Sequence, residues 1–143
     1  MTSKSQHVDK FFPEKMNCAQ TVFTLHAEEL GLDKLTTQKI ASGFAAGMAC
    51  AETCGAVTGS YMVIGMKHGH ASSDPEDKAA TKEKIMRFNE MFKAEHGSLA
   101  CKDLVGYDIS KPEEMEKARE ADAFKSYCPA FLKTACNIIE TEF

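Results

Sequence analysis

The sequence predicts an all-α fold, a single-domain bundle of about five or six helices, and three observations carry that expectation. Apolar residues recur at three- and four-residue steps, most clearly at Ile85, Phe88, Met91 and Phe92, the spacing that lines one helix face. Turn and cap residues bracket such windows: Asn17, Asp74-Pro75 and Ser110 with Pro112 at starts, Gly31, Gly97 and Gly106 at stops. Strand alternation is missing. The only β-like fragment, Tyr61 to Ile64, lies inside a glycine-rich helical stretch, so helices packed on helices are the expected architecture.

Residues 1–16 show little periodicity apart from Phe11 and Phe12, which Pro13 interrupts. They are expected to form an N-terminal arm, mobile or docked, ahead of a helical domain spanning 17–143. Asn17 can cap a first helix on which Cys18, Val22, Leu25 and Glu29 share a face. Thr36 or Thr37 can cap a short second helix through Ile40 and Ala41, giving way to an irregular turn between Gly43 and Cys50. Glu52 or Thr53 then opens the glycine-rich helix, with Cys54 at its start and Lys67, His68 and His70 near its end, where positive charge suits the helix dipole.

The Ile85 to Phe92 helix follows, running from the turn at Ser72-Ser73-Asp74-Pro75 to Gly97. Ser98 can cap a short segment containing Cys101, Leu104 and Val105. A charged helix is expected from Pro112 to about Lys125 with a solvated face. The last is expected to start at Cys128-Pro129, with proline in the first helical position, and to bury Phe131, Leu132, Ala135, Cys136, Ile138 and Ile139.

A chain of 143 residues, 43% apolar and 27% charged, fits one soluble globular domain. The net charge of -4 supplies no basic field for a phosphate backbone, which argues against nucleic acid. The N-terminus has no apolar run of signal-peptide length, and the longest low-charge stretch, around Cys54 to Met66, is too short to span a bilayer. A cytosolic location and no membrane partner are therefore expected. Six cysteines in a reducing compartment suit catalysis, redox sensing or metal binding better than a disulfide framework.

The densest signal runs from Gly43 to Gly69, with Cys50 and Cys54 four apart and glycines at 55, 59, 65 and 69. Each interior glycine costs a helix roughly 1 kcal/mol relative to alanine. Two of the pairs have G-x-x-x-G spacing, which puts both glycines on one face and lets a neighbouring backbone come close. That neighbour can belong to the same chain or to a second copy in a homodimer.

Cys54-Gly55-Ala56-Val57-Thr58-Gly59 reads as C-G-A-x-x-G, with Cys18 upstream and Cys101 and Cys128 downstream. Gly97-Ser98 before Cys101, Asp103 to Asp108 after it, and Cys128-Pro129 complete an ordered set. From about Asn17 onward the chain resembles the redox-active protein family named for its C_GCAxxG_C_C cysteine pattern. The resemblance implies four characteristic cysteines and a redox role, with no substrate or cofactor attached. Cys50 and Cys136 fall outside the pattern.

Read from the boundaries above, Cys18, Cys54, Cys101 and Cys128 each lie in the first turn of a helix, where free amides and the dipole stabilise a thiolate. Cys136 sits mid-helix on an apolar face as a packed small hydrophobe. Cys50 is open between a resolving thiol, an extra ligand and a stand-in for alanine.

Three functions follow. In the first, Cys54 is a low-pKa attacking thiolate resolved by Cys18, Cys50, Cys101 or Cys128, with a partner protein or small thiol as redox partner and no cofactor required. In the second, Cys18, Cys54, Cys101 and Cys128 ligate zinc or an iron–sulfur cluster. In the third, the chain is a non-enzymatic interaction domain with packed cysteines. His68 and His70 flank Gly69 on a polar turn and read as solvated, and the methionines at 62, 66, 86 and 91 read as core filling.

Overall fold

The structure, a computed structural model, describes residues 3–143. Among them are eight α-helices and no strand: α1 (Val8–Phe11), α2 (Cys18–Leu25), α3 (Lys34–Ala41), α4 (Gly55–His68), α5 (Pro75–His96), α6 (Cys101–Val105), α7 (Pro112–Glu120) and α8 (Ala123–Glu142). The all-α expectation holds. The count exceeds five or six because the arm folds its own short helix and α6, only five residues long, stands as a separate element. No helix among the described residues is long and apolar enough to cross a membrane.

Local chemistry explains most boundaries. Asn17 and Gln20 form a reciprocal capping box at the head of α2, satisfying two amides that would otherwise lack partners. Asp33, rather than Thr36 or Thr37, caps α3, its carboxylate accepting from the Thr36 N–H at 2.8 Å. Asp74 and Pro75 open α5, and Gly97 closes it at φ 83°. Two expected boundaries move. The helix placed from 112 to about 125 stops at Glu120, because Asp122 takes the left-handed conformation at φ 54°. The last helix begins at Ala123, five residues before Cys128, and carries Pro129 in its interior. Ala123 is fully buried and Phe124 packs against the core, so tertiary packing outweighs proline's preference for a helix start.

The core is built around α4 and α8. On α4, Ala56, Val57, Val63 and Ile64 are buried, and on α8 Leu132, Ala135, Cys136 and Ile139. Phe88 and Phe92 of α5 are fully buried beside them, their rings stacked at 6.0 Å; burying such a side chain contributes roughly 1.5–3 kcal/mol. Helix α2 lies against α4 through glycine. A β-carbon on Gly59 would come within 2.9 Å of the Ala19 carbonyl oxygen, and one on Gly55 within 2.7 Å of the Cys18 β-carbon. The close approach read from the first G-x-x-x-G pair is thus made within the chain. The second pair makes none: Gly65 faces open space, and Gly69 lies beyond the helix end.

The arm is docked. Val8 and Phe12 are buried, the Lys4 amide donates to the Glu140 carboxylate at 2.6 Å, and Lys133 of α8 pairs with Asp9 at 3.1 Å.

Candidate functional site

Four separate elements deliver the pattern cysteines to one place. Cys18 is the first residue of α2 and Cys54 the N-cap of α4. The absence of a side chain at Gly55 is what lets these two helix starts touch. Cys101 is the first residue of α6. A two-bond bridge sets it beside Cys54: the Cys54 amide donates to the Leu99 carbonyl at 2.8 Å and the Cys101 amide to the Glu52 carbonyl at 2.6 Å, around the isolated pairing of Thr53 with Ala100. Cys128 comes from the second turn of α8. All four line a single cavity of about 300 Å³.

The rest of that cavity comes from residues the periodicity did not single out as functional. Phe12, Pro13 and Met16 of the arm line it, together with Leu104, Met115 and Phe124. Arg119, at the end of α7, is the one charged residue among the lining residues. The wall at Ala45, Ala46 and Gly47 leads into an irregular turn in which Ala46, Met48, Ala49 and Ala51 all have φ between 55° and 60°. A left-handed residue with a β-carbon costs about 1–2 kcal/mol, so this turn is strained. It is held from both ends: Glu52 donates its amide to the Gly47 carbonyl, and a β-carbon on Gly47 would sit 2.5 Å from the Glu52 nitrogen. Double phenylalanine before proline was the visible sign of the arm; nothing in the alternating charges around Arg119 marked it.

Burial, not the helix termini, sets the state of these thiols. Cys54, Cys101 and Cys128 are buried and Cys18 is half-buried. Burial pushes Cys54 up to about 12, against the opposing pull of the Ala56 and Val57 amides, with the neighbouring Cys128 and Cys101 adding to the rise. Cys101 is raised to about 11 by burial and then by Cys128. Cys18 is raised first by the adjoining Cys128 side chain, then by burial and by the nearby Cys54 and Cys101. The expectation of a low-pKa, solvent-reachable Cys54 is therefore corrected. Its two helix amides act in the predicted direction, and desolvation outweighs them. Cys128 lies in the second turn of α8 rather than in a first turn as expected.

The other cysteines stand apart from the cavity. Cys50 is exposed on the strained turn. Cys136 is fully buried in α8, with burial raising it to about 12, as its place on an apolar face implied. His68 donates from Nε2 to the Phe143 carbonyl oxygen, and His70 lies against the Ser72 carbonyl. Among the described residues no three His, Cys, Asp or Glu side chains converge closely enough to hold one metal ion.

A family model described as "Putative redox-active protein (C_GCAxxG_C_C)" matches residues 16–142. No curated protein and no solved structure matches the chain.

Proposed function

The chain belongs to the redox-active protein family defined by the C_GCAxxG_C_C pattern, and on that premise we propose that it carries a reversible dithiol/disulfide couple formed by Cys18 and Cys128. The observation that carries this reading is the convergence of Cys18 and Cys128 on one cavity, lined by Cys54 and Cys101 as well, with the Cys128 side chain close enough to raise Cys18. Oxidation breaks two S–H bonds and makes one S–S bond. The two protons and two electrons pass to the disulfide of a partner protein or of a small thiol, which leaves as its dithiol or as two thiols. Cys54 and Cys101, fixed side by side by the backbone bridge, are the thiols to which the disulfide can move by exchange. Attack needs a thiolate, and Cys18, held above its ordinary value by Cys128 and by burial, gives up its proton only to an acceptor that enters.

Peptide mapping after one equivalent of diamide is added to the reduced protein tests the assignment. The expected product is an intramolecular Cys18–Cys128 link, lost in Cys18→Ser and kept in Cys136→Ser. A link between Cys50 and Cys54, or none within the chain, counts against it.

One observation favours a second reading. Four thiols line the cavity where a dithiol needs two, and a four-thiolate set is the usual donor set of an iron–sulfur cluster, which spans donors set wider apart than one ion can reach. Iron and acid-labile sulfide measured in protein purified without oxygen separate the readings: stoichiometric amounts of both support the cluster.

A further inference from the structure

We infer that the four-cysteine cavity takes a small disulfide with an aliphatic body and a single anionic group, the anion being recognised by Arg119. The inference rests on the dithiol reading and assigns its substrate class. Three features of the wall specify the ligand. The body must be apolar, because Phe12, Met16, Leu104, Met115 and Phe124 line the cavity together with the thiols. An anionic group is wanted at one end, because Arg119 is the only charged lining residue and no carboxylate faces it across the cavity. Arg119 also makes no ion pair among the described residues, so its guanidinium is available for a carboxylate in the forked geometry that arginine favours. The reacting bond must be a disulfide, because thiols line the same cavity. A volume of about 300 Å³ lies at the lower end of the range for small-molecule pockets, which suits a small disulfide.

A simple structural role does account for a cation in the last turn of a helix, where it offsets the dipole. Lys117 sits in that same last turn and does not line the cavity. The dipole alone therefore does not explain why a cation lines an otherwise uncharged chamber.

The reaction balances without a further reagent. One of Cys18 and Cys128, as thiolate, attacks a sulfur of the bound disulfide. A protein–substrate S–S bond forms as the substrate's own S–S bond breaks. The second cysteine displaces the substrate, closing the Cys18–Cys128 disulfide, and the two thiol protons end on the substrate's sulfurs. The substrate is reduced by two electrons and the protein oxidised by two.

Lipoic acid, a cyclic disulfide on an aliphatic chain ending in carboxylate, and its neutral amide are the probes. The reduced protein is expected to reduce the acid on the order of tenfold faster than the amide, as one charge-assisted contact at a partly solvated site would give. In Arg119→Ala that ratio should fall towards one, and Arg119→Lys should recover part of it. Octanoate and octanamide, which carry no disulfide, provide a binding readout independent of redox chemistry: titration calorimetry should show octanoate bound by the wild type and lost in Arg119→Ala. Equal rates for acid and amide, or octanoate binding that ignores Arg119, overturns the inference while the diamide-formed Cys18–Cys128 link leaves the dithiol reading intact. Octanoate binding without any diamide-formed link overturns the dithiol reading, and with it the substrate class, leaving only an anion-binding pocket.

Discussion

At the scale of single residues, what counts is how closely something else approaches. Gly55 and Gly59 are needed for space: each would place a β-carbon under 3 Å from α2 backbone or side-chain atoms. Gly65 has nothing within 4 Å and is exposed on the same helix. Gly59→Leu is therefore expected to destabilise the protein by more than about 2 kcal/mol, overpacking alone costing roughly 1–3 kcal/mol. Gly65→Ala should stabilise it by up to about 1 kcal/mol through helix propensity. Urea unfolding of the two variants decides; equal shifts would show that the first pair does not mark a contact. Both pairs have the same spacing in the sequence, so spacing did not distinguish them. Only the depth of α4 in the core does. Cys54 teaches the same lesson, since its place at a helix start was legible and its burial, which decides its proton affinity, was not.

At the scale of elements, caps were the most legible feature. Asn17, Asp74-Pro75, Gly97 and Gly106 stand at helix starts or ends as their chemistry implies, whereas α2 stops at Leu25 with His26 as its cap and Gly31, at φ 71°, lies in the turn beyond. Boundaries failed where tertiary packing opposed local preference, as at Pro129, and where the backbone took a form that these residue types rarely choose, as in the alanine-rich left-handed turn before Glu52. Just past α2, His26 is fully buried. Its Nδ1–H donates to the Val22 carbonyl at 2.8 Å, and its Nε2 has no partner. Burial lowers its pKa from the ordinary 6.5, partly offset by the Val22 carbonyl and Glu29. Between the unfolded value and the lower folded one, the unfolded chain binds more protons, so stability is full above about pH 6.5 and falls as pH drops through that window. His96, lowered by burial as well, acts in the same direction. His26→Gln should flatten the decline in melting temperature between pH 7 and pH 5 by more than His96→Gln does. An unchanged slope in His26→Gln would show that the buried ring does not titrate with folding.

At the scale of the whole molecule, the site exists only as an assembly. The cysteine pattern announced its four thiols and the all-α fold that carries them, because motif and helical period are both written in local sequence. The chamber around them was not announced. Its walls come from the arm, from α6, from α7 and from α8, elements that reach from Phe12 to Phe131 in the chain, and Arg119 looks in sequence like any cation on a solvated helix. The central claim is that Cys18 and Cys128 form one two-electron couple. Equilibrium titration of the protein in dithiothreitol redox buffers, with free thiols counted by mass spectrometry after acid quench, tests it most directly. The wild type and the Cys50→Ser and Cys136→Ser variants should each lose two thiols in one transition at a shared midpoint, and Cys18→Ser and Cys128→Ser should lose that transition. Retention of the transition and its midpoint in Cys18→Ser, or its loss in Cys50→Ser, would contradict the account.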